Sequence, residues 1–214
     1  MTSDLASTLE VALPDSDLCR AATAFARELS PPFLFNHVMR SALFAEHAAR
    51  AQGARHDPEL LCLASVLHDL GLTDASRGES RFEIEGADAA REFLQGRGLS
   101  TAALDLVWEA IALHTTPLLP QRRAPEVAFC HIGAGLDVGV MPLDAIEEPF
   151  LTALLERYPR LGFKQALIDL LAAQGGQGWQ ALASMPVLDA CERRVPGFRR
   201  PHFCDIVEQA AFDE

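Results

Sequence analysis

Four polar groups of this 214-residue chain fall in stretches that otherwise read as core: His37, the adjacent pair His68-Asp69, and Asp137. They are separated by 31 and 68 positions, so only folding can bring them to one point. Two neutral imidazoles and two carboxylates make a mixed nitrogen and oxygen shell suited to Zn²⁺, Mn²⁺ or Fe²⁺, and the two negative charges would balance a divalent ion that is costly to bury alone. One ion with water at its remaining positions is the expectation. Adjacent helical residues point about 100° apart, so His68 and Asp69 can share an ion only beside a helix end, which Gly71 would supply. Taken singly, each has a plainer account: His37 as a satisfied core histidine, Asp69 as a turn residue paired with an arginine. Taken together, and with no matching buried cation in view, they leave uncompensated charge unless a metal is present.

The elements that must position these groups are helical. Ala, Leu, Glu and Arg dominate and alternating β-branched runs are almost absent, which predicts an all-α fold, a single-domain helical bundle. Leu18, Ala22, Phe25 and Leu29 mark a helix over Asp17 to Leu29, stopped by Ser30-Pro31-Pro32, and a second follows from Phe33 to Gln52, ending at Gly53. Asp57-Pro58 opens a third, apolar almost all round and therefore central, which carries His68-Asp69 on its last turn. Thr73 to Arg81 reads as a loop. Further helices are predicted over Glu83 to Gln95, Ser100 to His114, Ala124 to Leu136, Asp144 to Tyr158, Phe163 to Ala173 and Trp179 to Ala183, with one more in the tail from Pro201. Gln174-Gly175-Gly176-Gln177-Gly178 reads as a flexible turn.

Composition narrows the function. Lys plus Arg number 18 against 30 Asp plus Glu, for a net charge of −12, the wrong sign for nucleic acid or anionic lipid. With 49% hydrophobic residues the chain is globular, and it shows neither a signal-peptide block nor a membrane-spanning apolar run, so a soluble cytoplasmic protein is expected. Cys19, Cys62, Cys130, Cys191 and Cys204 are scattered without a CxxC pair and read as reduced core thiols. The expected partner is a small-molecule substrate. Helical domains of this size commonly pair, so a homo-oligomer stays open.

The blocks FNHVMRSALFAEHAA around His37, LASVLHDLGLT around His68 and Asp69, RFEIEGADAAREFL, VWEAIALHTT ending in His114, and GAGLDVG around Asp137 occur in the order of the HD superfamily of metal-dependent hydrolases, which the chain resembles from about Phe33 to Gly139. FNH, FEIEGA and IALHT look most like its cyanamide-hydratase-like branch. The resemblance implies an HD-type core over about 33–139 with C-terminal helices over 144–214, metal ligands His37, His68, Asp69 and Asp137, and a metal-dependent hydrolase or hydro-lyase. Addition of water to a nitrile-type carbon is the leading activity it implies.

One departure matters. Many two-metal members carry a His where this chain has Phe82, so a mononuclear site is expected, and His114, which matches a ligand of the second metal, is left to act on substrate. His114 ranks first as acid/base because histidine titrates nearest working pH. Glu83 ranks second, with the plainer role of favouring its helix start, and Asp74 is the third candidate. Asn36, Trp108, Arg77 and Arg81 are candidate substrate contacts, the two arginines as a phosphate clamp. Phe35 and Phe44 are more often core than pocket wall. His47 and His56 fall at positions that read as exposed, and His131, six positions before Asp137, is placed to approach the site but reads better as a packed core residue. The runner-up activity is phosphomonoester or nucleotide hydrolysis. A metal-bound but silent ligand-sensing module would show a missing ligand or blocked pocket, and neither is apparent.

Overall fold

Helix α1 (Asp17–Leu29) starts where the Ser16 side chain accepts a hydrogen bond from the Cys19 N–H, and proline at the first position opens α2 (Pro32–Ala51) and α3 (Pro58–Leu67). Then follow α4 (Phe82–Leu94), α5 (Thr101–Leu113), α6 (Pro125–Val138), α7 (Glu148–Arg157), α8 (Phe163–Gly175) and α9 (Phe203–Glu208). This computed structural model describes residues 11–175, 191–200 and 202–214, and the described residues contain no strand, so the all-α expectation holds.

Every residue of α3 from Leu60 to Leu67 is buried, which makes it the central helix that its all-round apolar sequence requires. It ends earlier than expected. Leu67 is its last residue, His68 caps it, and Asp69 precedes a single 3₁₀ turn over Leu70–Leu72. Gly71 lies inside that turn and does not end the helix; a Cβ there would stand 1.9 Å from the Phe82 carbonyl oxygen. The residue is therefore small so that the start of α4 can lie on the turn that bears His68 and Asp69. Gly133 does the same between α2 and α6, where a Cβ would stand 2.2 Å from the Ser41 carbonyl oxygen. That close approach brings His37 on α2 beside Asp137 on α6.

The main apolar core lies among α1 to α6. A smaller cluster of Leu34, Leu72, Phe163, Leu167 and Val207 fastens α8 and α9 to α2 and the 3₁₀ turn. The Lys164 ammonium donates to the carbonyls of Glu208, Ala210 and Phe212, tying the chain end to the start of α8. α7 begins at Glu148, later than Asp144, and Gln174 and Gly175 complete α8 where a turn was expected. The remainder of that glycine-rich stretch and the helix expected over Trp179 to Ala183 lie outside the described residues. Cys19, Cys62 and Cys130 are core thiols, with burial pushing the Cys130 thiol up to about 12, whereas Cys191 is half-buried and Cys204 exposed. No described helix is long and apolar enough to cross a membrane.

Candidate metal centre

His37 sits in the second turn of α2, His68 and Asp69 follow α3, and His114 caps α5. All four are buried. The hydrogens on the rings follow from their partners. His68 Nδ1 lies 2.7 Å from the Ser65 carbonyl oxygen, and His114 Nδ1 lies 2.7 Å from that of Ile111. A carbonyl oxygen only accepts, so both Nδ1 atoms carry the hydrogen, and in the neutral rings both Nε2 atoms are bare. His37 Nδ1 likewise faces an acceptor, Oδ2 of Asp137, at 2.7 Å.

These bare nitrogens converge. His37 Nε2 and His68 Nε2 are 3.2 Å apart and each stands 3.3 Å from Oδ2 of Asp69, a triangle whose donors share no hydrogen. Donors about 2.1 Å from one cation at octahedral or tetrahedral angles are spaced roughly 3.0–3.4 Å, so the triangle fits the face of a coordination sphere. Facing lone pairs beside an ionised carboxylate repel unless a cation stands among them. His37, His68 and Asp69 could therefore hold a divalent metal ion. Burial opposes charge on His68 and holds its pKa below the ordinary value. Burial also pushes His37 down, but the Asp137 and Asp69 carboxylates, which accept hydrogen bonds from the charged form of the ring, outweigh it and leave its pKa raised; a cation in the triangle takes the place of that second proton.

Asp137 does not join this face, so the structure brings three of the four expected ligands together. It stands on the opposite nitrogen of His37, and both its oxygens are engaged by the buried Arg40, whose Nε donates to Oδ1 at 2.6 Å and whose Nη2 donates to Oδ2 at 2.7 Å. Arg160, also buried, donates to the Asp137 carbonyl oxygen at 3.1 Å. Despite complete burial, Arg40 and His37 hold the Asp137 carboxyl far below the usual range. The expectation that no buried cation would match these acids fails on Arg40 and Arg160. Arg40 was legible, one helical step from His37 on the same face within an apolar run; Arg160 sits in a loop whose local sequence gives no sign of it. A carboxylate on the far nitrogen of a ligating histidine fixes its tautomer and raises its basicity, and Asp137 stands where that role requires.

Above the triangle opens a cavity of about 370 Å³, with His37, His68, Asp69 and His114 on its floor. His114 Nε2 stands 3.4 Å from Oδ1 of Asp69, beside the triangle and across the carboxylate. Glu83 and Thr115 also line the cavity. Burial would raise the Glu83 carboxyl, but hydrogen bonds donated by Arg81, at 2.6 Å, and by the Thr115 hydroxyl hold it below its ordinary value. His131 lines the same cavity, sharing one face of α6 with Ala134, Gly135 and Val138, and its Nδ1 donates to the His114 carbonyl oxygen at 2.6 Å. Sequence spacing left it as core.

Other expected contacts lie elsewhere. The Asp74 side chain is 93% exposed and pairs with Arg77 at 3.1 Å, and neither lines the cavity. Arg81 stands behind Glu83 and does not line it. Asn36 points the other way and donates to the Pro159 carbonyl oxygen, while the Trp108 indole donates to Asp88 between α4 and α5. Phe35 packs beneath Arg27 and Phe44 against Phe150, both in core. His47 and His56 are half-buried and stand beside Glu147 and Glu46 at 3.1 and 2.9 Å, which corrects their expected exposure.

Comparison with known families places residues 34–146, just over half of the chain, on the model described as HD domain. No curated protein matches the chain.

Proposed function

The chain belongs to the HD domain family, whose members are in general metal-dependent hydrolases, and from that premise we propose that it hydrates a nitrile-type carbon at a single divalent metal ion. The observation that carries this reading is the convergence of bare imidazole nitrogens and the Asp69 carboxylate on the floor of a closed-in cavity. His37, His68 and Asp69 would hold the ion, which supplies Lewis acidity and makes water nucleophilic near neutral pH. Asp137 holds the His37 ring, and Arg40 holds Asp137.

The remaining task for the chain is to move protons. Hydration joins a water oxygen to the nitrile carbon and carries both water hydrogens to the nitrogen: the first transfer gives the imidic acid, and loss of its O–H proton with protonation at nitrogen gives the amide. Nε2 of His114, bare and on the cavity floor, accepts the proton as the carbon–oxygen bond forms and returns it to the substrate nitrogen. Glu83, kept ionised by Arg81 and Thr115, has its acceptor capacity occupied and acts by fixing Thr115 at the cavity wall.

Phosphate-ester hydrolysis, the alternative, would recruit Arg77 or Arg81 as a clamp. Arg77 pairs with the exposed Asp74 and Arg81 with Glu83, and neither arginine lines the cavity, so the hydration reading is the better supported. Incubating the Zn²⁺-, Mn²⁺- and Fe²⁺-loaded protein with benzonitrile and with phenyl phosphate tests it. Amide formation that needs metal and is lost in His114→Ala is the expected result; phosphate release without amide overturns the reading.

A further inference from the structure

The cavity draws on two parts of the chain. Its polar floor comes from residues within the family match, whereas Leu167 and Leu171 of α8 and Phe203 and Ile206 of α9 come from beyond residue 146, where that match ends. With Leu72, Phe82 and Val138 these make walls that are mostly apolar, broken by Glu83, Thr115 and His131. Val140 and Phe203 line the cavity and are also 47% and 39% exposed, so the mouth is apolar too. Among the described residues no lysine or arginine lines it, and the charge of Glu83 is turned toward Arg81.

We infer that the substrate is an uncharged molecule with an alkyl or aryl body and its one polar, reactive group at the floor, and that α8 and α9 select that body. The inference rests on the proposed function only for the placing of the reactive group. A volume of about 370 Å³ lies within the roughly 300–1,000 Å³ typical of small-molecule sites, far more than a two-carbon substrate occupies. The wall is preformed: Phe163, Leu167 and Val207 are fully packed, and Lys164 ties the residues after α9 to α8. Burying an aryl body there adds affinity with little ordering cost. An ionic group on that body would lose its hydration against walls that, among the described residues, offer it no lysine or arginine.

The test is calorimetric binding of three amides to the Zn²⁺-loaded full chain: acetamide, benzamide, and 4-carbamoylbenzoate, which carries a carboxylate on the far end of the same ring. Benzamide is expected to bind at least tenfold more tightly than acetamide, and 4-carbamoylbenzoate to lose that advantage. Ile206→Trp, which fills the cavity, should bring the benzamide-to-acetamide ratio within threefold; Ile206→Ala, which spares the packing of α9, should lower it severalfold. Equal binding of the three amides, tightest binding of 4-carbamoylbenzoate, or a ratio unmoved in both variants overturns the inference. Benzonitrile turnover is measured separately. If it is absent while the binding preference holds, the hydration reading falls and the inference about the substrate body stands.

Discussion

Glu46 and Asp69 are both buried carboxylates beside histidine, and their surroundings differ in where the hydrogens lie. Arg50 donates to one oxygen of Glu46 at 2.6 Å, His56 Nε2 stands 2.9 Å from the other, and the second nitrogen of His56 faces the Ala54 carbonyl at 3.3 Å. Each oxygen of Glu46 thus has a donor within reach, since Nε2 of a neutral His56 can carry the ring hydrogen. Around Asp69 the nearest nitrogens, Nε2 of His37, His68 and His114 at 3.3, 3.3 and 3.4 Å, belong to rings whose hydrogens are bound at Nδ1 by other acceptors. A buried acid with a histidine is thus no sign of chemistry by itself. The direction of the ring N–H separates a closed structural knot from a set of donors awaiting a cation.

Breaking each cluster should separate them. In His68→Ala, bound metal should fall from about one equivalent to under a tenth by elemental analysis, and turnover should drop on the order of a thousandfold, the scale of the several kcal/mol a catalytic ion contributes. Unchanged metal content would refute the centre. Asp137→Asn sharpens the distinction between a ligand and a residue that positions one. It leaves Arg40 and Arg160 short of a buried counter-charge, so urea denaturation should show a loss of about 3–5 kcal/mol. Metal affinity, read by competition with a chelator, should weaken roughly tenfold to hundredfold without being abolished. Metal content as low as in His68→Ala would make Asp137 a direct ligand. His56→Ala should keep both metal content and turnover, and lose about 1–3 kcal/mol of stability because Glu46 loses one partner.

The fold was legible because helical periodicity and punctuation agree along most of the chain: the bounds of α1 are those the apolar spacing predicts, and the α2 and α3 starts coincide with prolines. His37 and the His68-Asp69 pair were legible as polar groups in apolar helices. What periodicity cannot carry is the rotation of a ring or the far end of a long side chain. Asp137 was rightly placed beside His37, but whether it meets Nδ1 or a shared ion is decided by Arg40 and Arg160, the latter from a loop after α7. Asp74, Arg77 and Arg81 looked alike in one polar loop, and only tertiary packing turns Arg81 onto Glu83 and leaves Asp74 in solvent.

The smallest expected effect concerns Glu83, which belongs to the cavity in position and to the closed knot in bonding. Its carboxyl is buried, which alone would raise its pKa, yet the hydrogen bonds from Arg81 and Thr115 leave it lowered. A carboxylate whose pKa is lower folded than unfolded adds stability that is complete above its unfolded value and is lost as pH falls through the folded one. In metal-free protein at pH 7, Glu83→Gln should therefore be less stable than the parent by about 1 kcal/mol, the net scale of a typical intramolecular hydrogen bond, because the amide keeps part of the bonding. Below the ordinary glutamate value of about 4.3 the gap should close as pH falls through the lowered folded value, because the parent carboxyl is then being neutralised as well. A gap that stayed constant over that fall would mean that Glu83 contributes through shape and not charge, and would free it to accept a proton from substrate.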